Sequence, residues 1–325
     1  MGLIDTSGRR INYLRLSVTD RCNLRCCYCM PEKGVPKVTH GDILRYEDLL
    51  RVARAAVSLG IEKIRVTGGE PLVRLGIAGF LARLAAIPGL RQLVLTTNGV
   101  LLEEMATDLR SAGVQRLNVS LDSLRPETFR RVTRCGDVSQ VFAGLEAAER
   151  AGFPLKLNMV VMRGVNDDEL ADFAALTLDK PYAVRFIEYM PTVGGGDWQS
   201  RVVPGHEILE RIGRRFPFVP LERNELAGPA REFQIEGAAG TFGIITPISG
   251  HFCGDCNRIR VTASGHARSC LFAPNEVDLK PFLLSEGEAG IRQALLQVVG
   301  DKPGRHRISD AETGCSPFMM SSVGG

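Results

Sequence analysis

From about residue 13 to residue 190 the chain repeats one pattern: a short apolar, β-branched run closing on a small or polar residue, then a longer amphipathic stretch. Strands separated by helix-length segments cannot pair as hairpins. They run parallel, with the helices packed on the sheet. The pattern predicts strands at 13–18, 63–67, 92–96, 116–120, 156–161 and 184–187, and helices at 46–59, 76–86, 102–111, 138–151 and 168–176, where apolar residues recur at three- and four-residue intervals. Six units are fewer than a closed eight-fold barrel requires.

In parallel α/β folds the ligand site lies past the C-terminal ends of the strands. Four such ends here are polar or glycine-bearing: Thr67-Gly68-Gly69-Glu70-Pro71, Thr96-Thr97-Asn98-Gly99, Ser120-Leu121-Asp122-Ser123 and Glu188-Tyr189-Met190-Pro191. Gly68 and Gly69 suit close backbone approach to a ligand or positive φ, although a turn can use glycine for geometry alone. Beyond Met190 the alternation stops. The segment 191–204, with Gly194-Gly195-Gly196 and the single tryptophan Trp198, reads as a linker or flap. A short helix near 206–215 and strand-like stretches at 232–235 and 241–245 follow.

Nine cysteines is an odd count, which argues against a fully paired secreted framework. No apolar run is long enough to span a membrane, and the first ten residues are polar, so a reducing cytoplasm is the expected compartment. A formal charge of +3 is too small to imply nucleic acid. Arginines nevertheless gather near the cysteines, at Arg15, Arg21, Arg25, Arg258 and Arg260, as a small polyanion would require.

Cys22, Cys26 and Cys29 follow the first strand with gaps of three and two residues. Three thiolates from one short loop can hold three corners of a cubane iron–sulfur cluster and leave one iron open to a small molecule. Structural zinc normally draws on two close pairs of ligands, and no second pair lies nearby. Cys27 occupies the intervening position and is expected to point away. Cys253, Cys256 and Cys270 form a second triad with gaps of two and thirteen residues. Its spacing suits a second cluster and, with His251 or His266, zinc equally well.

The CxxxCxxC loop after the first strand resembles the radical S-adenosylmethionine superfamily. The wider set is similar to its GTP 3′,8-cyclase family, enzymes of the first step of molybdenum cofactor biosynthesis. That set is Leu14-Arg15-Leu16-Ser17-Val18-Thr19-Asp20-Arg21-Cys22, Arg65-Val66-Thr67-Gly68-Gly69-Glu70-Pro71, the second triad enclosing Asn257-Arg258-Ile259-Arg260, and the terminal Gly324-Gly325. The resemblance implies an incomplete (β/α)6 TIM-type barrel over 1–190, and a smaller C-terminal domain over 191–325 carrying a second cluster. It implies [4Fe-4S] clusters on Cys22, Cys26 and Cys29 and on Cys253, Cys256 and Cys270, the first open to S-adenosylmethionine and the second to the guanine of GTP. A 5′-deoxyadenosyl radical would take the ribose 3′ hydrogen, and C3′ would then bond to C8.

By the same resemblance Tyr28, Gly69, Ser120 and Met190 contact S-adenosylmethionine, and Arg15, Arg65, Thr96, Lys156, Arg258, Ile259 and Arg260 contact GTP. The Gly324-Gly325 tail inserts into the site. No acid–base residues are expected beyond the cofactors, whose chemistry the protein orients. An electron donor, the cyclic pyranopterin monophosphate synthase and a second copy of the chain are the implied partners, with no nucleic acid and no membrane. Two rivals are a peptide-modifying radical enzyme with two clusters and a zinc-stabilised binding module.

Overall fold

The computed structural model describes residues 2–34, 39, 41–191, 198–222, 228–273, 275–306 and 320–323. All six expected strands form, as β1 Tyr13–Ser17, β2 Lys63–Thr67, β3 Gln92–Thr97, β4 Arg116–Ser120, β5 Leu155–Val161 and β6 Ala183–Glu188. They lie side by side in sequence order, every pair parallel. The crossover helices are α1 Tyr46–Ser58, α2 Ile77–Ala85, α3 Leu102–Ser111, α4 Pro126–Thr133, α5 Val138–Arg150 and α6 Leu170–Asp179. The sixth begins later than expected because 167–169 coils as a 3-10 turn. The expected list lacks α4, whose eight residues fall below the window in which helical periodicity is legible.

The C-terminal part adds α7 Gly205–Gly213 and the strands β7 Phe218–Pro220, β8 Arg231–Ile235, β9 Thr241–Ile245, β10 Arg258–Val261, β11 His266–Arg268 and β12 Val277–Asp278, then α8 Gly287–Gly300. These strands enter the same sheet at both edges. β9 pairs parallel with β6 and β10 pairs parallel with β1, and antiparallel hairpin partners continue outward from each. The open edges of the six-fold barrel thus have their peptide groups satisfied by the chain's own second part. The outer faces of the strands and the inner faces of the helices form one apolar core, in which Leu14, Leu16, Ile64, Leu95, Leu117, Leu157 and Phe186 are fully buried. Among the described residues no helix is long and apolar enough to cross a membrane.

Candidate functional site

The loop carrying the first cysteine triad is held from two sides. On one side, Gly69 N–H donates to the Thr19 carbonyl and Glu70 N–H to the Arg21 carbonyl, both at 2.7 Å. A Cβ on Gly69 would stand 2.3 Å from the Arg21 oxygen, and one on Gly68 2.7 Å from the Thr19 oxygen. Neither glycine has positive φ. Positive φ is therefore not what the pair supplies; the close approach shown is that of the cysteine loop's own backbone rather than of a ligand. The buried Glu70 carboxylate accepts from Leu72 N (3.0 Å), Thr97 Oγ1 (2.8 Å) and Asn98 N (2.7 Å). Burial pushes it up to about 7 against those hydrogen bonds. Asn98 in turn donates to Asn23 Oδ1 at 2.7 Å and reaches Cys22 Sγ at 3.8 Å.

On the other side the C-terminal turn of α4 takes hold. Cys27 N donates to Val132 O at 2.9 Å, and Arg134, at a left-handed φ of 65°, donates to the Arg25 and Met30 carbonyls at 3.0 and 2.9 Å. Tyr28 Oη donates to Asp122 Oδ2 at 2.8 Å, while Asp122 Oδ1 accepts from Val160 N at 2.9 Å. Cys22, Cys26 and Cys29 consequently line one cavity, whereas Cys27 packs against the small cluster of Val132, Met162 and Tyr189. Burial pushes the Cys22 thiol up to about 11 and Cys26 well up. Such thiols give up their protons to a bound metal rather than to water. Among the described residues the eight cysteines form no disulfide, and Cys135 is exposed. Cys315 lies outside the described residues.

Cys253, Cys256 and Cys270 line the same cavity. Burial opposes ionisation of Cys256, but Arg258 and Lys302 overcome it and bring the thiol to about 6. His251, Cys253 and His306 place ligand atoms within 4.8 Å of one another. A guanidinium only donates, so Arg305 makes His251 Nε2 an acceptor. His251 Nδ1 then carries the proton directed at His306 Nε2, 3.4 Å away. Both His251 nitrogens are committed, which argues against His251 as a ligand. His266 is held by Ser264 on β11 and lies outside the cavity lining.

Between the triads the cavity wall is cationic. Barrel interiors are ordinarily filled by Val, Ile and Leu. Here inward positions of β1, β2, β6 and β10 present Arg15, Arg65, Arg185, Arg258 and Arg260 to the cavity. One pleat deeper, on the same strand faces, are Lys63 two residues before Arg65 and Lys156 two before Asn158. Burial, with help from Arg65, Arg116 and Arg185, lowers Lys63 to about 7. Burial with Arg185 and Arg116 lowers Lys156 to about 6, despite Glu232 at 3.7 Å. Glu232 also pairs with Arg185. The buried Nε atoms of Arg15, Arg65 and Arg185 and the Oγ1 of Thr96 have no hydrogen-bond partner. Buried polar groups are rarely left so. Crowded cations with spare donors, facing one cavity, are a receptor for a compact polyanion.

Of the residues singled out in the sequence, Arg15, Tyr28, Arg65, Gly69, Thr96, Ser120, Met190, Arg258 and Arg260 all line this cavity with the six cysteines. The Ile259 side chain does not: it belongs to the apolar core. Gly324 and Gly325 lie outside the described residues, but Met320 lines the cavity and its N–H donates to the Cys29 carbonyl at 3.3 Å. Arg185 and Lys63 are absent from the sequence-derived set. A charge inside an apolar strand run, in phase with Ile187 or Arg65, was the available signal.

Comparison with known proteins agrees with this arrangement. Residues 16–177 match the Radical SAM superfamily, and 182–308 match Molybdenum Cofactor Synthesis C. A GTP 3′,8-cyclase of Geobacter sulfurreducens is 64% identical over 326 residues, with all of both chains covered. One from Heliobacterium modesticaldum is 48% identical, covering 99% of this chain and 100% of its own. Among solved structures, Streptococcus suis SuiB bound to its precursor peptide SuiA superposes with a TM-score of 0.60. It shares 13% identity, over 90% of this chain and 65% of SuiB, a likeness of fold alone. Two cysteine triads and a cationic wall converging on one partial barrel, with full-length relatives of that name, place the chain in the GTP 3′,8-cyclase family of the radical S-adenosylmethionine superfamily.

Proposed function

We propose that the protein converts GTP to 3′,8-cyclo-7,8-dihydroguanosine 5′-triphosphate by S-adenosylmethionine-dependent radical chemistry, the first step of molybdenum cofactor biosynthesis. The observation that carries this reading is the shared cavity: six thiols in two groups of three, with guanidinium groups between them, of which Arg15, Arg65 and Arg185 each leave a buried Nε without a hydrogen bond. Cys22, Cys26 and Cys29 would hold one [4Fe-4S] cluster, and Cys253, Cys256 and Cys270 the other. With S-adenosylmethionine bound, the first cluster would supply the electron that splits it into methionine and a 5′-deoxyadenosyl radical, the species that would take the 3′ hydrogen.

The protein's own residues bind and orient. Gly69 keeps the β2 tip in backbone contact with the cysteine loop, leaving its peptide edge for the methionine amino group. Ser120 and Met190 line the wall where the adenosine would lie, and Tyr28, fixed by Asp122, sets the height of the loop. Arg15, Arg65, Thr96, Arg258 and Arg260 offer donors to the triphosphate and ribose, with Arg185 as an additional contact. Lys156 and Lys63 add charge from beneath. Ile259 holds the two β10 arginines on one face by anchoring the strand between them. Holding the reacting C3′ and C8 atoms together is itself a large part of the rate enhancement available to such a site.

The terminal Gly324-Gly325 would complete the cavity from the side where Met320 enters it. The division at about residue 190 separates the part that handles S-adenosylmethionine from the part that holds the base of GTP. A small electron donor, delivery of product to the cyclic pyranopterin monophosphate synthase, a homodimeric state and a reducing cytoplasmic setting all belong to the same reading.

Anaerobically reconstituted protein should bind about eight irons per chain, the content of two four-iron clusters. Given S-adenosylmethionine, GTP and a reductant, it should release 5′-deoxyadenosine and the cyclised nucleotide in step. Release of 5′-deoxyadenosine with GTP intact would reject the substrate while keeping the superfamily chemistry.

A further inference from the structure

The second triad draws its cysteines from two strand-flanking segments and a 3-10 turn, and a device outside the motif joins them. β10 and β11 are in register for only two pairs, Arg260 with Arg268 and Val261 with Ala267. Beyond that point the ladder ends, just where one strand leads back to Cys256 and the other runs on to Cys270. The Lys302 side chain fills this place. Its Nζ donates to the Arg258 carbonyl at 2.8 Å and to the Ser269 carbonyl at 2.6 Å. An ammonium has three donors and no acceptor. Two of them go to carbonyls of residues that are, or adjoin, a member of the triad or its arginine pair.

Lys302 is 3% exposed. A buried cation is costly unless an anion is close. The groups of opposite charge acting on it are the sulfurs of Cys256 and Cys270, while Arg258 opposes it. The third cysteine is tied to the same short stretch. Arg9, itself paired with Asp5 at 2.6 Å, donates to the Cys253 carbonyl at 2.6 Å and to the carbonyls of Pro303 and Gly304 at 2.8 and 3.3 Å. The backbone of Lys302 is fixed in turn by its N–H to Val299 O at the end of α8. Residues 302–304 are therefore a hub to which all three cysteine segments are fastened.

We propose that Lys302 is a positioning residue for the second cluster: its ammonium bridges the Arg258 and Ser269 peptides, holds Cys256 and Cys270 at the separation of a single cluster, and stabilises the charge of their sulfurs. This inference rests on the proposed reading of that triad as a [4Fe-4S] site. It concerns retention and electronic state of the cluster, and does not place Lys302 in contact with GTP.

The test uses the full chain carrying Cys22→Ala, Cys26→Ala and Cys29→Ala, so that iron reports the second site alone. After anaerobic reconstitution this parent should hold about four irons, the content of one cluster. Adding Lys302→Met should speed iron release to a chelator at least tenfold. Lys302→Arg, which keeps charge and donors, should return the rate to within threefold of the parent. Lys302→Gln keeps donors but removes the charge, so it should shift the ratio of reduced to oxidised cluster about tenfold toward oxidised at fixed potential, a fall of about 59 mV for one electron. A purely structural brace would leave that ratio unmoved. If Lys302→Met does not fold, as read by circular dichroism, the Gln and Arg variants decide by the same two measurements. Variants with parental melting, parental iron release and parental potential would overturn the inference. A parent that takes up no iron would instead remove the cluster from this triad, and the inference with it.

Discussion

Filling the cavity with a triphosphate should draw protons into the protein. In the empty site Lys156 lies at about 6 and Lys63 at about 7, both lowered first by burial and then by neighbouring arginines. A bound polyanion supplies an opposite charge that works against both causes and raises both lysines toward their ordinary range near 10.4. At pH 7.5 the empty site then has about 0.97 of Lys156 and about 0.76 of Lys63 neutral, so binding takes up about 1.7 protons. The sign follows directly: the complex binds more protons than the free protein, so affinity falls as pH rises through and above the free-state values. Multiplying the two titration factors gives a weakening of about fifty-fold between pH 7 and pH 8.

Lys156→Met leaves Lys63 alone to titrate, and the same product falls to about five-fold, with uptake of about 0.8 proton at pH 7.5. Calorimetric titration of GTP into reconstituted protein, without S-adenosylmethionine, reductant or added divalent cation, measures both quantities when repeated in buffers of different ionisation enthalpy. Uptake near zero, or an affinity flat from pH 7 to pH 8, would refute the placing of triphosphate charge above these lysines.

Three further outcomes are expected. Glu70→Ala leaves the buried donors of Leu72, Thr97 and Asn98 without their acceptor, which should cost about 3 kcal/mol and lower the melting temperature by about 5 °C; an unchanged melting curve would contradict it. Removing Gly324 and Gly325 should leave iron content unaltered while abolishing cyclisation, and a fully active truncated protein would sink the role given to the tail. In metal-free protein at pH 7, Cys256, lowered to about 6, should react with iodoacetamide well ahead of Cys22, raised to about 11, as read by peptide mass spectrometry; equal labelling would contradict the electrostatic difference between the two triads.

The barrel was legible because its information is local. Apolar runs of five to seven residues between amphipathic helices locate β1 to β6 to within a residue or two, and the cysteine spacings locate both triads. What escaped was set by long-range pairing. That β9 and β10 would extend opposite edges of one sheet depends on β6 and β1 having unpaired edges, which no window around residue 241 or 258 contains. The approach of Gly69 to the cysteine loop was not legible because the oxygen it meets belongs to Arg21, 48 positions away. Arg185 and Lys63 escaped for the same reason: their meaning comes from charges on other strands, Arg116 and Arg258 for Lys63 and Glu232 and Arg116 for Arg185. Lys302 sits after a helix with no motif around it, and its importance lies in the two carbonyls it bridges.

The central claim is that one cavity brings the ribose of GTP to the carbon radical generated from S-adenosylmethionine. Its most direct test is a turnover with GTP deuterated at C3′, followed by mass analysis of both products. Deuterium should appear in 5′-deoxyadenosine and be absent from C3′ of the cyclised nucleotide. Formation of 5′-deoxyadenosine free of deuterium while the cyclised product accumulates would contradict the account.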